Sequence, residues 1–331
     1  MTDFRELVDL ASERLGGTAL AANDEFFAGR ENLLKPGAPV FREGEYTDSG
    51  KWMDGWETRR RREPGHDWCV IRLGLPGILR GAVVDTRHFV GNFPPECSLD
   101  RAEVEGDPDA APLTGASNTW VEVLPRAPLE GDRENLFPLH GSHRSTHVRL
   151  NIYPDGGVAR LRLFGEVLPD WQGLVRAGGE VDLACVANGG LVVASSDMFF
   201  GSRHNLILPD RPRDMSDGWE TRRRRGPGHD WAIVRLGRTG SIRRVEVDTA
   251  HFKGNAPGSC SIDVAKAGPA ADPAAPGLTW KELLPRTPLL PHTLHRFEGE
   301  LADAGEATHA RLNIFPDGGV SRLRLFARMR S

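Results

Sequence analysis

Lysine is nearly missing from this chain: five of its 42 basic residues are lysine and the rest are arginine. Arginine at any one position is therefore weak evidence of a role, although an arginine fork grips a carboxylate in a way that lysine cannot. Excess positive charge is also lacking. The formal charge is −4 over 331 residues, and no stacking aromatics interrupt the arginine runs, which argues against nucleic acid as a partner. The four cysteines (Cys69, Cys97, Cys185, Cys260) form no CxxC pair, which excludes a disulfide framework and points to reduced thiols. No apolar run is long enough to span a bilayer, and the opening MTDFRELVDLASERLGG lacks the basic-then-apolar layout of a signal peptide, so no membrane partner and a cytoplasmic location are expected. P-loop, GxSxG and HExxH words are absent too, and the chemistries they announce are not expected.

What the sequence does contain is a long internal repeat. DGWETRRRREPGHDWCVIRLG, from Asp54 to Gly74, returns as DGWETRRRRGPGHDWAIVRLG from Asp217 to Gly237, an offset of 163. The same offset carries DTRHFVGN (Asp85–Asn92) onto DTAHFKGN (Asp248–Asn255). THVRLNIYPDGGVARLRLF (Thr146–Phe164) matches THARLNIFPDGGVSRLRLF (Thr308–Phe326), and NDEFFAGRENL (Asn23–Leu33) recurs more loosely as SDMFFGSRHNL (Ser196–Leu206). The order of the words is unchanged and the period is domain-sized, so two whole domains are expected rather than a solenoid. Between the preserved words, Ser98–Asn118 and Ile262–Leu278 have drifted apart, which indicates local constraint on what was kept.

Alternating apolar and polar residues predict a mainly β protein. Thr146–Phe164 reads as a hairpin about the turn Pro154–Gly157, with Leu161 and Leu163 facing one way and Arg160 and Arg162 the other. Trp68–Leu73 and Ala82–Val84 read as further core strands. At the start, Phe4, Leu7, Val8, Ala11 and Leu15 share one helical face, with Asp3 and Glu6 as a capping box and Gly16-Gly17 as the stop. Short strands between Gly/Pro turns favour a jelly roll used twice. The expected organisation is a helix over 1–17, a first repeat over 18–168, a linker over 169–189 and a second repeat over 190–331.

Several repeated residues can carry chemistry. One or two guanidiniums of Arg59–Arg62 and Arg222–Arg225 could grip a carboxylate, while the rest of each run pairs with nearby acids on a solvated face. His66-Asp67 and His229-Asp230 set an imidazole beside a carboxylate, and His88 and His251 each follow an apolar strand. A lone histidine is usually structural, but these recur together with acids at strand ends, which favours general acid/base work. Asn92 and Asn255 suit a turn or a ureido contact. His140, His143 and His147 suggest a metal, yet the second copy keeps only His309 opposite His147, so no repeated metal site is expected.

These repeated words resemble the paired repeats of the allantoicase family, over nearly the whole chain. The resemblance implies two tandem jelly-roll domains of the galactose-binding-like kind, hydrolysis of allantoate to ureidoglycolate and urea in purine catabolism, and a homo-oligomer. For that reaction, Arg59, Arg60, Arg222 and Arg223 are the expected carboxylate holders, with Asn92 and Asn255 as further substrate contacts. Glu57, Asp67, Glu220 and Asp230 are available as bases, and His88 or His251, with His66 and His229 in reserve, as proton donors. No cofactor is expected, although a divalent ion could stand in for the protein base. The rival expectation is a duplicated jelly roll that binds a sugar or small anion and breaks no bond.

Overall fold

The computed structural model describes residues 3–104, 106, 113, 120–268, 274 and 277–328, so the drifted stretches between the repeated words lie partly outside the described residues. The chain forms two compact units, Met1–Leu168 and Pro169–Ser331. Among the described residues, no helix is long and apolar enough to cross a membrane.

In the first unit the strands are β1 (Val8–Asp9), β2 (Thr18–Ala22), β3 (Tyr46–Thr47), β4 (Gly50–Lys51), β5 (Trp56–Glu57), β6 (Asp67–Asp85), β7 (Glu96–Ala102), β8 (Val121–Pro128), β9 (Glu134–Pro138), β10 (Ser145–Tyr153), β11 (Gly157–Val158) and β12 (Arg160–Val167). The long β6 belongs to both layers of a sandwich. Its first part, Asp67–Arg72, pairs with β10, and its last part, Gly77–Asp85, pairs with β12. The second unit makes the same path with two strands. It comprises β13 (Glu180–Asp182), β14 (Leu191–Ser195), β15 (Trp219–Glu220), β16 (Asp230–Gly240), β17 (Ile242–Asp248), β18 (Ser259–Ala265), β19 (Lys281–Pro288), β20 (Leu294–Phe297), β21 (Ala307–Phe315), β22 (Gly319–Val320) and β23 (Arg322–Arg328). Here β14-β16-β21-β18-β19 and β13-β23-β17-β20 are separate sheets. At the corner between layers the chain needs glycine: a Cβ on Gly74 would lie 2.5 Å from the Leu15 carbonyl oxygen, and one on Gly237 would lie 1.8 Å from that of Asn188.

The core follows from strand alternation. Val148, Leu150 and Ile152 of β10, Cys69 and Ile71 of β6, and Leu161 and Leu163 of β12 are fully buried in one cluster. Trp56 and its counterpart Trp219 are fully buried as well. Fully burying a side chain of leucine or isoleucine size stabilises by about 1.5–3 kcal/mol, so these inward rows hold the two layers together.

Three expectations are corrected. The predicted hairpin is not one: β10 and β12 do not pair with each other but lie in different layers, each against its own part of β6. Turn residues and alternation describe the two strands equally well in either arrangement; burial of both inner faces decides for the sandwich. Among the described residues the N-terminal helix is also absent. Phe4–Glu6 and Glu13–Leu15 are single 3-10 turns, and between them Val8–Asp9 pairs with β12. The Leu10 amide donates to the Leu163 carbonyl, and Leu10 and Ala11 are fully buried, so strand pairing overrides the helical spacing. Asp3 caps its turn through the Arg5 amide. Finally, the expected linker is structured. It holds the helix Trp171–Ala177, then repeats the N-terminal path: Val181-Asp182-Leu183-Ala184 stands where Val8-Asp9-Leu10-Ala11 stands in the first unit, with Val181 and Asp182 paired to β23.

Candidate active site

All four repeated words meet at one end of each unit. β6 begins beside the end of β10 and ends beside the start of β12, so His66-Asp67 and the Asp85–Asn92 loop both face the turn 154–159. β5, carrying Trp56 and Glu57, pairs with Val158 and Gly157 in that turn. The indole nitrogen of Trp56 donates to the Asp24 carbonyl at 2.8 Å, which ties the NDEFF segment to this end, and Trp219 does the same to Asp197. Thr58 and Thr221 hold the turns through Gly156 and Gly318.

The arginine run alternates in role. Arg59 donates from its backbone amide and Nε to Asp24, at 3.0 and 2.7 Å. Arg61 donates from its amide to Asp155 and from its guanidinium to Asp67 at 2.6 Å. Arg224 repeats this with Asp317 and Asp230, whereas Arg222 donates to Asp197 from its backbone amide at 2.8 Å and its Nε lies 3.7 Å from that carboxylate. Arg60 and Arg62, like Arg223 and Arg225, are exposed, and among the described residues no ion pair is formed by any of the four. Arg59 and Arg222 stay largely exposed as well, so in each run only Arg61 or Arg224 turns its guanidinium inward.

Asp67 and Asp230 are buried inside these pairs. Asp67 also accepts from Asn23 at 2.7 Å, and Asp230 from Ser196 at 3.1 Å. Glu57 is placed differently. It is partly buried at the mouth of the turn, and its Oε1 accepts from the Asn92 side-chain amide at 2.7 Å. Burial pushes its carboxyl above the usual range, against the opposing hydrogen bond from Asn92. Glu220 and Asn255 make the same bond at 2.6 Å. Asn92 and Asn255 thus touch the glutamates directly, and their carbonyls also accept the amides of Gly157 and Gly319.

The histidines fall into two groups. His66 packs on Tyr153, with ring centroids 4.8 Å apart, and burial, then the Arg149 guanidinium, hold its pKa below the ordinary imidazole value. His229 packs on Phe315 and meets Asn313 Oδ1 at 3.3 Å. Around each lies a polar row that the sequence reading missed: Asn151 donates to Ser98 and Asp100, and Asn313 to Ser261 and Asp263. The signal was the word Cys-Ser-Leu-Asp at 97–100, kept as Cys-Ser-Ile-Asp at 260–263 at the edge of the drifted stretch. His88 and His251 have positive φ, 71° and 69°, and turn their Nε2 toward the carbonyls of Pro39 and Pro212.

Two further arginines were also unforeseen as anchors. Arg160 is buried against Asp54 at 2.6 Å, and Arg322 against Asp217 at 3.3 Å. Both fix the entry to the DGWET word from beneath. Among the described residues, no three His, Cys, Asp or Glu side chains converge as a metal site; Nδ1 of His143 bonds Ser142 and that of His147 bonds Thr146.

Comparison with known proteins gives one consistent picture. The family model described as the allantoicase repeat matches residues 8–168 and 181–330. The chain is 54% identical over 98% of its length to a probable allantoicase of Pseudomonas aeruginosa, covering 96% of that protein. It is 48% identical over 97% of its length to an allantoicase of Dictyostelium discoideum, covering 86% of that protein. A crystal structure of allantoicase from Saccharomyces cerevisiae superposes with a TM-score of 0.83 at 36% identity, over 97% of this chain and 93% of that one.

Proposed function

We propose the following chemistry on the ground that this chain belongs to the allantoicase family. The protein is a hydrolase that converts allantoate and water to ureidoglycolate and urea, a step of purine catabolism. Allantoate carries a carboxylate and two ureido groups on one carbon. One C–N bond breaks, the departing ureido nitrogen gains a proton, and water supplies the hydroxyl that takes its place. The ureido nitrogen left behind feeds electrons toward the breaking bond, so a strong nucleophile is not required.

The observation that carries the residue assignment is the Glu–Asn pair, present in both units at the mouth of the turn. A glutamate at the mouth of the turn, steered by one side-chain amide, can take a proton from water, and burial raises the carboxyl of Glu57. In the unit that turns substrate over, the glutamate, Glu57 or Glu220, is therefore the base toward water, and Asn92 or Asn255 orients it. Asp67 and Asp230, enclosed by Arg61 and Arg224, act as anchors of the run. The carboxylate of the substrate is held by the unpaired guanidiniums, Arg60 or Arg62 in one unit and Arg223 or Arg225 in the other, while Arg59 and Arg222 position the run through Asp24 and Asp197. His88 or His251, whichever lies in the unit that turns over, protonates the departing ureido nitrogen, and His66 and His229 support the turn from the sheet side.

The scheme requires no cofactor. We place the reaction in the cytoplasm, supported by four buried cysteines that form no disulfide, and in a homo-oligomer, supported by the exposed phenylalanines Phe26, Phe199 and Phe200. Urea release from allantoate but not from allantoin, whose closed ring lacks the free carboxylate, tests the activity. Equal rates with EDTA and with added manganese are expected, and light scattering reads the assembly. Glu57→Gln and Glu220→Gln enzymes that both retain wild-type kcat would remove the glutamates from the mechanism.

A further inference from the structure

The two units differ beside the loop that follows β6 in the first and β17 in the second. In the second unit a cleft of about 480 Å³ opens beside the Asp248–Asn255 loop, with Asp248, Ala250, His251, His292, Leu294 and Arg211 among its walls. The matching positions of the first unit include Asp85, Arg87, His88 and Glu134, and there Arg87 bridges the walls: it donates to Asp85 at 2.5 Å and pairs with Glu134 at 3.1 Å. With alanine at 250 and leucine at 294 that bridge is gone. Asp248 keeps only the backbone amide of Ala250, at 2.8 Å, and among the described residues no ion pair to it is formed.

The cleft also gains a donor of fixed orientation. The His251 amide donates to His292 Nδ1 at 2.7 Å, so Nδ1 bears the lone pair and neutral His292 carries its proton on Nε2. In the first unit Asp132 accepts that amide, and no imidazole is present. His251 turns Nε2 to the Pro212 carbonyl as a donor, which leaves its Nδ1 to take or give a proton. An acceptor carboxylate, an N–H donor and a second imidazole on one wall match a ureido group, which offers N–H donors on one side and a carbonyl on the other.

We propose that this cleft seats the ureido group that leaves as urea, with Asp248 accepting its N–H groups and His292 donating to its carbonyl, and that turnover belongs to the second unit. The assignment rests on allantoate hydrolysis as the activity. Asn255, four residues after His251 on the same loop, brings Glu220 to the neighbouring face, so the base and the leaving-group pocket share one support.

The test places the first unit's arginine in the second. Ala250→Arg should lower urea release at least hundredfold, whereas Arg87→Ala should leave it unchanged. Asp248→Asn should lower kcat/KM roughly ten- to hundredfold, the range for a hydrogen bond to a charged group. It should also weaken competitive inhibition by N-methylurea. Thermal melts run alongside, and should Ala250→Arg fail to fold, Asp248→Asn and His292→Asp decide. Wild-type protein that releases no urea from allantoate ends the activity reading itself. Active wild-type protein with folded Ala250→Arg and Asp248→Asn variants at full kcat/KM, or with an Arg87→Ala variant that loses activity, ends the cleft assignment and leaves the activity standing.

Discussion

Neighbours in one arginine run should respond to alanine in opposite ways. Arg61→Ala removes the guanidinium that pairs with Asp67 at 2.6 Å, where the Asp67 side chain is 2% exposed and that of Arg61 27%. The carboxylate is left buried with Asn23 as its remaining side-chain donor, and its Oδ2 already has no partner. Breaking a buried pair from one side costs about 3–5 kcal/mol, and the part-exposed guanidinium sets the lower figure here. For a unit of residues 1–168, about 3 kcal/mol lowers Tm by about 6–12 °C. Arg60→Ala removes an exposed, unpaired side chain, and the expected change is within about 0.5 kcal/mol, or about 1–2 °C. In urea release the order reverses for the residue that holds the substrate carboxylate. Melting curves and initial rates on the two variants, with Arg224→Ala and Arg223→Ala as the second-unit pair, make the comparison. Equal Tm for Arg61→Ala and Arg60→Ala would refute the division of the run into anchors and free guanidiniums.

Three other outcomes are expected. Glu57→Gln keeps the Asn92 bond and removes a charge that burial disfavours, so Tm at pH 7 should hold or rise, and a clear fall would contradict the placement of Glu57. Because the Glu57 carboxyl is raised in the folded state, its contribution becomes less unfavourable as pH falls through that raised pKa, and the variant should lose this pH dependence. The His66 pKa is lowered by burial and by Arg149, so the unfolded chain binds its proton first and stability is lost as pH drops below the ordinary imidazole pKa of about 6.5. His66→Gln should flatten the stability profile as pH falls below about 6.5, as read by chemical denaturation at stepped pH. Asn255→Ala frees Glu220 from its steering amide, and kcat should fall about tenfold with KM little changed; a rise in KM alone would make Asn255 a substrate contact instead.

The sequence by itself carried the duplication, the strand alternation, the family resemblance and the residue types at the loop end, because each is written in local order: a period of two, a turn word, a word used twice. Even the anchoring within the arginine run was implicit, since extended backbone sends Arg59 and Arg61 one way and Arg60 and Arg62 the other. Partnership across the chain was not legible. That Asp67 is enclosed while Glu57 stays at the mouth depends on Asn23 and Asn92 arriving from 44 and 35 residues away. The N-terminal spacing fits a helix in isolation, but Leu10 and Ala11 bury themselves by pairing their strand with β12, about 150 residues later in sequence. β10 and β12 look like a hairpin until β6 crosses the corner and claims each for a different layer. The bridge in the first unit and its loss in the second rest on Arg87 and Ala250, whose difference matters only because Asp85 and Glu134 stand on either side of that guanidinium.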